Sequence, residues 1–245
     1  MTIKFTGRHF PSEIILQSVR YYISYKLSYR EIEEVLAERG INVDHSTLNR
    51  WVIKYAPLLE YLVRKIKKPV ASSWRMDETY INAKGQWKYY SRAVDKYGHV
   101  IDFLLCNRRD EKAARALFTK ARGYNGLPEK VVIDKSGANA LALHNINVQL
   151  WLTGKMLNLI EVLQVKYLNN IVEQSHRKVK GKMHQCLGWK SNEGATATLA
   201  GVELWSMIKN GQLDNPDGYR LDGNRLVRDA HHLSSSRSWR VFVVS

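Results

Sequence analysis

The chain has 245 residues, and 38 lysines and arginines against 23 aspartates and glutamates give it a formal net charge of +15. Its 44% hydrophobic and 25% charged residues exclude general disorder, and no apolar run reaches the roughly 18 residues that a membrane helix needs. Two cysteines cannot form a disulfide framework, and the first ten residues contain no secretory signal, so we expect a cytoplasmic protein. The excess positive charge predicts a polyanionic partner, most simply nucleic acid.

The first sixty residues have the apolar spacing of short helices. Ser28 and Glu31 have the form of a capping box at the start of a helix that is expected to end near Gly40. Asp44 is expected to cap the next helix, and Pro57 is expected to limit it. Two helices joined by a short glycine-containing turn are typical of a helix-turn-helix, whose second helix enters the DNA major groove.

The polar side of that second helix carries side chains that can bond to phosphates or base edges. On the helix-turn-helix interpretation, the side chains that face DNA are His45, Ser46, Thr47, Asn49, Arg50 and Lys54. The same pattern also fits a three-helix bundle whose polar face is only solvated. The pattern by itself leaves both interpretations open.

After residue 70 the sequence becomes rich in aromatic and β-branched residues, with glycines at the expected turns. Three consecutive antiparallel strands are predicted at 76–82, 87–95 and 99–107. The later predictions are helices at 110–122, 138–143, 169–184 and 195–209, and strands at 130–133 and 159–165. Together these elements predict a mixed α/β layer domain. The stretch 212–245 is rich in Asp, Asn, Gly and Ser and is expected to be a loop-rich tail.

Three acidic residues lie where chemistry on phosphates would need them. Asp77 is in the first strand, and Asp134 directly follows the buried strand 130–133, at an edge where open α/β sheets line their ligand crevices. Glu173 is the one acid, against six lysines and arginines, between residues 166 and 190. Three converging carboxylates could hold two divalent ions such as Mg²⁺, which prefers oxygen ligands and promotes phosphodiester displacement.

Two of these three acids also have a simpler, structural explanation. Glu173 could form an i, i+4 ion pair with Arg177 on its helix, and an aspartate at a strand end such as Asp134 can be structural. Asp95 and Asp102 lie in the hairpin strands with turn-like surroundings, which indicates structural roles. The basic side chains of the late helix, which could instead hold a phosphate backbone, are Arg177, Lys178, Lys180 and Lys182.

Seven stretches of the sequence, in order, carry the pattern of a known family. They are Ser28–Ile32, Val43–Thr47, Trp74–Tyr80, Arg92–Asp95, Ile133–Lys135, Lys166–Arg177 and Leu187–Ser191. In these stretches the chain resembles the DDE transposases of the bacterial insertion-sequence-six family, and the resemblance extends over residues 7–212. So many ordered matches exclude chance agreement.

The resemblance implies an α/β protein in which an all-α helix-turn-helix domain precedes an RNase H-like mixed-sheet catalytic core. The implied organisation is a helix-turn-helix domain at 1–63, a basic linker at 64–72, a DDE catalytic domain at 73–211 and the tail at 212–245. It also implies that Asp77, Asp134 and Glu173 are both the catalytic residues and the metal ligands, with Mg²⁺ or Mn²⁺ in a two-metal site.

The activity that the resemblance implies is cleavage of DNA at the terminal inverted repeats of an insertion sequence and transfer of the freed strands to target DNA. The expected partners are double-stranded DNA and at least one further copy of the chain, because two DNA ends must be paired. The expected location is the bacterial cytoplasm, associated with the nucleoid. The alternative is an inactive or domesticated, repressor-like protein that uses only the helix-turn-helix, and a general nuclease of the same fold is a third possibility.

Overall fold

A computed structural model of the chain describes residues 9–25, 27–134, 137–154, 159–165, 170–185, 189–213, 219–222 and 225–228. For residues 170–175, 178 and those after 213 it describes the backbone alone. The chain divides into two compact units, Met1–Lys68 with His184–Ser245, and Pro69–Met183. Within the described ranges, none of the helices has the length and apolar character of a membrane span.

Three helices come first along the chain. Three consecutive strands follow, and then a mixture of helices and strands. In chain order the elements are α1 (Ser12–Ser24), α2 (Tyr29–Ala37), α3 (His45–Lys65), β1 (Ser73–Ala83), β2 (Gln86–Asp95), β3 (Val100–Cys106), α4 (Glu111–Asn125), β4 (Lys130–Ile133), α5 (Gly137–Leu152), β5 (Glu161–Gln164), α6 (Asn170–Gln185), α7 (Asn192–Lys209), β6 (Tyr219–Asp222) and β7 (Arg225–Arg228). The predicted α/β class is confirmed.

Local signals position the helices α2 and α3 of the first unit. The Ser28 hydroxyl accepts a hydrogen bond from the Glu31 amide at 3.3 Å, and the Glu31 carboxylate accepts one from the Ser28 amide at 2.5 Å, which confirms the capping box. Gly40 lies in the turn after α2 with a φ of +73°, a conformation that favours glycine. Asp44 caps α3 by accepting a hydrogen bond from the amide of Ser46 at 2.8 Å.

Helix α3 continues through Pro57 to Lys65, so the prediction that Pro57 would limit it is wrong. A proline in a helix interior costs about 3 kcal/mol because it removes one backbone hydrogen bond and crowds the preceding turn. Ala56, Leu59 and Val63, on either side of the proline, are fully buried. Burial of large apolar side chains contributes about 1.5–3 kcal/mol each, which is enough to offset the cost.

Helix α7 packs against α3 and α1 within the first unit. This division differs from the predicted boundaries, which placed α7 in the catalytic domain at 73–211. The close approach occurs at Gly201, where an added Cβ would lie 2.6 Å from Cδ1 of Ile23 and 3.5 Å from Cβ of Ala56. Only a residue without a side chain fits there without rearrangement, so Gly201 allows the three helices to pack tightly.

Replacing Gly201 with alanine is expected to lower the free energy of unfolding by about 1–2 kcal/mol. Overpacking a filled core costs about 1–3 kcal/mol, whereas the better helix propensity of alanine returns at most about 1 kcal/mol. Gly123 in α4 is the matched control, because nothing lies within 4 Å of its added Cβ. Gly123→Ala is therefore expected to be neutral or stabilising, and urea unfolding of both variants measures the difference.

A double variant identifies the overlapping atoms at Gly201. Ile23→Ala removes Cδ1 and Cγ1, which lie 2.6 Å and 2.7 Å from the added methyl group. The combined loss of stability in Gly201→Ala with Ile23→Ala should therefore be smaller than the sum of the two single losses. Strictly additive losses would show that the methyl group is accommodated in some other way.

Within the stretch that was predicted to be a loop-rich tail, the structure describes two short strands. Strands β6 and β7 pair in antiparallel fashion from Tyr219↔Arg228 to Asp222↔Arg225. Residues 214–218, 223–224 and 229–245 of the predicted tail lie outside the described residues.

The second unit is built on a mixed five-stranded sheet with the strand order β3-β2-β1-β4-β5. Strands β1, β2 and β3 are antiparallel neighbours, whereas β4 is parallel to β1 and β5 is parallel to β4. Buried residues of α4 and α5, including Phe118 and Ile146, form one core with Trp74, Met76 and Ile133 of the sheet. This arrangement is the RNase H-like mixed-sheet core that the sequence led us to expect.

Candidate active site

Two of the three predicted catalytic acids lie where the pairing between the neighbouring strands β1 and β4 ends. Strands β1 and β4 are paired in parallel as far as Met76↔Ile133. Asp77 and Asp134 are the next residue on each strand, so the register places them beside each other where β4 ends. Both carboxylates are accessible, since the Asp77 side chain is 18% exposed and the Asp134 side chain is 37% exposed.

The third predicted acid, Glu173, belongs to α6, and its side chain lies outside the described residues. The helix itself is confirmed at the predicted position. One turn further along α6, Nδ1 of His176 lies 3.4 Å from Oδ2 of Asp77. Helix α6 therefore passes next to the acid in β1.

The side of the sheet that carries Asp77 is polar but buried. Arg92 of β2 is the direct cross-strand neighbour of Asp77 and is 2% exposed. The ring of His176 meets that of Tyr90 edge to face, with 6.0 Å between the centroids. Burial, together with the positive charges of Arg92 and Lys180, lowers the pKa of His176 to about 3. The imidazole is therefore neutral at neutral pH.

Glu78 points to the opposite face from Asp77, as strand geometry requires. Its side chain is 7% exposed and forms an ion pair with Nε of Arg109, whose Nη2 lies 3.6 Å from Oδ2 of Asp134. Burial raises the pKa of Glu78, and the negative charge of Asp134 adds to this, whereas Arg109 and a hydrogen bond from Asn139 act against it. Arg109 thus bridges a buried acid and a predicted catalytic acid.

Comparison with known proteins identifies the family. A family described as a DDE domain matches residues 71–212, and one described as transposase IS66 family matches residues 12–127. The transposase for insertion sequence-like element IS431mec of Staphylococcus aureus is 38% identical over 211 residues, which cover 84% of this chain and 88% of that protein. The chain belongs to the DDE transposases.

A second relative agrees with the insertion-sequence-six group. The transposase for insertion sequence element IS257 in transposon Tn4003 of Staphylococcus aureus is also 38% identical, with the same coverage. Among solved structures, the catalytic core domain of HTLV-2 integrase in complex with magnesium has a TM-score of 0.43 at 14% identity, covering 58% of this chain and 87% of that chain. As a DDE transposase, the protein is a metal-dependent enzyme that cleaves and joins DNA strands.

Helix α3 carries the six residues that were predicted to face DNA. Among the six predicted residues, the exposed ones are His45, Ser46, Arg50 and Lys54, and the half-buried ones are Thr47 and Asn49. The guanidinium of Arg50 donates to the Thr47 hydroxyl at 2.9 Å. This contact holds a cation on the outer side of the helix.

Three side chains that could ligate a metal also meet at the start of α3. Glu33 accepts a hydrogen bond from the His45 amide at 3.1 Å and lies 3.0 Å from the His45 Nδ1, and Asp44 completes the group. Hydrogen bonds from the side chain and amide of Ser46 lower the pKa of Asp44. These bonds fix the first turn of α3, so the group has a structural explanation.

The basic residues of α6 are divided between two sides of the helix. Arg177 and Lys180 are exposed, in agreement with the prediction. Lys182 is 5% exposed and lies with buried Val179 and Met183. The structure therefore does not place Lys182 on an exposed phosphate-binding surface, because its position on the helix turns it inward. The side chain of Lys178 lies outside the described residues.

Two further acids of the transposase make structural contacts. Asp95 is fully buried and accepts hydrogen bonds from backbone amides around the β2–β3 turn. Asp102 is also fully buried, with Oδ1 2.9 Å from Nζ of Lys120 and 2.7 Å from the amide of Phe103. These contacts agree with the structural roles that the sequence indicated.

The sequence interpretation assigned no role in the site to Glu78, Arg109 or His176. His176 carries a signal that could have been used, since it follows Glu173 by three residues on a helix and so lies on the same side. Arg109 lies in the connection between β3 and α4, where no periodicity indicates the direction of a side chain. Only the folded structure brings it to Asp134.

Proposed function

We propose that this transposase binds the terminal inverted repeats of an insertion sequence through its helix-turn-helix and cleaves and transfers the DNA strands at Asp77, Asp134 and Glu173. The observation that carries the proposal is that Asp77 and Asp134 directly follow the last residue pair between β1 and β4, and so lie beside each other. The chain also belongs to the DDE transposases. Glu173 on α6 is the proposed third member, supported by the contact between α6 and Asp77.

The donor set fits a hard divalent cation. Asp77 and Asp134 offer carboxylate oxygens, which Mg²⁺ and Mn²⁺ prefer, and both are partly exposed to solvent. Together with Glu173 they would hold two such ions. When bound, these ions would activate the attacking water or 3′-hydroxyl and stabilise the leaving 3′-oxygen. Because the ions held by these carboxylates would activate water or a 3′-hydroxyl as the nucleophile, the reaction requires no serine or tyrosine nucleophile.

The surface charge supports a DNA partner for both units. Arg50 and Lys54 are exposed on α3, and Arg177 and Lys180 are exposed on the helix that carries Glu173. Lysine and arginine side chains bind the phosphate backbone and release counterions, which makes binding dependent on salt. The proposed ligands are the element ends and the target DNA, bound by at least a dimer in the bacterial cytoplasm, in association with the nucleoid.

A strand-transfer assay with the full chain tests the proposal. The DNA should carry the inverted repeats that flank the encoding gene, and the reaction should contain Mg²⁺. We expect nicked ends and joined products that disappear with EDTA and with scrambled repeats. Binding of the ends without any nicking would favour the repressor-like alternative. Equal cutting of DNA with and without repeats would favour a general nuclease, and either result would contradict the proposal.

Arg50→Ala is expected to weaken binding to the inverted repeats by about tenfold, since one contact to a phosphate or base edge contributes about 1–3 kcal/mol. It should also reduce the salt dependence of binding by about one counterion. Lys209→Ala is the matched control, because Lys209 is an exposed cation at the end of α7. An equal loss in both variants would show that only total charge matters, and a gel-shift titration at several salt concentrations separates the two cases.

A further inference from the structure

His176 is a buried polar side chain with an unusual set of contacts. It is 3% exposed, and its Nδ1 lies 3.4 Å from Oδ2 of Asp77. Among the described residues, its Nε2 is buried without a hydrogen-bond partner. Burying a polar atom without a partner costs free energy. Filling the core is therefore a poor explanation for a histidine at this position.

The surroundings of His176 hold its ring in one orientation. The Tyr90 ring, which is fully buried, packs edge to face against the imidazole. On the same helix, Met183 is buried and its Sδ lies 3.1 Å from the Asn82 amide nitrogen of β1, so this side of α6 lies against the sheet. The Nδ1 atom is thus held at a set position opposite the Asp77 carboxylate.

We propose that His176 is a positioning residue that orients the Asp77 carboxylate for binding a divalent cation. This inference rests on the proposed function, in which Asp77 is a metal ligand. Nδ1 donates to Oδ2 and so limits rotation of the carboxylate, while the negative charge remains available to the cation. The distance of 3.4 Å is longer than an ordinary hydrogen bond, but catalytic contacts are often long in the free enzyme and shorten when an active site assembles with its ligands.

A histidine suits this task better than a lysine or arginine. A cationic partner would neutralise part of the charge that attracts the metal, as Arg109 does beside Asp134. An imidazole can donate a hydrogen bond from a ring nitrogen without the permanent positive charge that lysine and arginine carry. Residues that hold a metal ligand in this way typically contribute 10–100-fold to metal affinity.

The test compares three substitutions in the full chain bound to inverted-repeat DNA. The Mn²⁺ dissociation constant is measured by electron paramagnetic resonance, and the Mg²⁺ concentration for half-maximal strand transfer is measured in parallel. His176→Leu is expected to raise both values by about tenfold or more. His176→Asn places an amide nitrogen near the position of Nδ1 and should restore most of the affinity. His176→Gln extends its nitrogen toward the position of Nε2 and should not.

Two controls separate positioning from folding. His184→Leu alters an exposed histidine on the same helix and should leave both metal values unchanged. The melting temperature in EDTA and the metal-free affinity for inverted-repeat DNA should remain at wild-type values in the Asn and Gln variants. If His176→Leu does not fold, the comparison of these two polar variants decides the question.

Asp77→Asn, measured in the same titration, distinguishes the inference from the proposed function. Mn²⁺ binding at wild-type affinity by Asp77→Asn would overturn the proposed function, and the role of His176 with it. Weakened binding by Asp77→Asn together with wild-type binding by His176→Leu, or by His176→Gln, would overturn only the role of His176. Weakened binding by Asp77→Asn and His176→Gln with recovery in His176→Asn would support both.

Discussion

Asp77→Asn is expected to abolish strand cleavage and strand transfer while leaving binding to the inverted repeats intact. Asparagine has the same shape as aspartate but lacks the negative charge that holds a divalent cation. Loss of a metal-ligating charge removes several kcal/mol of transition-state stabilisation, which corresponds to a rate at least about a thousandfold lower. The Asp77 side chain is 18% exposed and asparagine has nearly the same volume, so the fold should tolerate the change.

Three measurements on this variant separate chemistry from binding and stability. Strand transfer is followed with Mg²⁺ and cognate ends, end binding by gel shift, and folding by thermal melting. Asp134→Asn should behave like Asp77→Asn. Glu161→Gln is the matched control, because Glu161 is an exposed acid in β5 of the same sheet, paired with Lys130 at 2.9 Å. Undiminished strand transfer by Asp77→Asn would remove Asp77 from the active site.

Features set by local interactions could be predicted from the sequence. The capping box at Ser28, the cap at Asp44 and the strand at Lys130–Ile133 depend on residues within a few positions of one another. The position of Asp134 was also predictable, because the buried run before it ends there. Its placement beside Asp77 was not, because it depends on the parallel pairing of β1 with β4, two strands that are far apart in the sequence.

Features that depend on distant contacts could not be predicted in the same way. Helix α3 continues past Pro57 because its buried side chains pack against other helices, and proline by itself indicates the opposite. The predicted helix at 138–143 extends to Leu152. Within this extension, the Asn147 side chain donates to the carbonyl of Ile160 and accepts from its amide, each at 2.9 Å. These hydrogen bonds join α5 to the chain before β5, and helical periodicity does not predict them.

The proposed site shows the same limit at the level of side chains. Arg109 reaches Glu78 across 31 positions of the chain, and no local pattern relates the two. In α6 a periodic pattern was present, since His176, Val179 and Met183 are spaced as one helical side and all are buried. Applied to this helix, that spacing predicts the inward position of His176, whereas the general excess of cations does not distinguish buried Lys182 from the exposed Arg177 and Lys180.

Asp95→Ala is expected to lower the free energy of unfolding by about 3–5 kcal/mol, the range for breaking a buried charged network. Oδ1 of Asp95 accepts hydrogen bonds from the amides of Tyr97 and His99, both at 2.9 Å, and Oδ2 accepts one from the amide of Ala71 at 3.1 Å. Oδ2 also lies 3.1 Å from Nδ1 of His99. Alanine leaves these donors without an acceptor, and each such loss costs about 1–3 kcal/mol.

Asp110→Ala is the matched control for this prediction. Asp110 accepts from a single backbone amide, that of Ala113 at 2.9 Å, as the N-cap of α4. Its removal should cost about 1 kcal/mol, so the two losses should differ in proportion to the amides that each aspartate holds. Urea unfolding of both variants gives the comparison. Equal losses would mean that the amides around Asp95 find other acceptors.

The two aspartates Asp77 and Asp95 lie on neighbouring strands, and their variants should fail in opposite ways. Asp95→Ala should lose strand transfer only at temperatures at which the variant is unfolded, and lowering the temperature should restore its activity. Asp77→Asn should remain inactive at every temperature at which it is folded. This difference follows from the contacts of the two side chains. Both oxygens of Asp95 accept hydrogen bonds from backbone amides, whereas the Asp77 carboxylate is partly exposed to solvent.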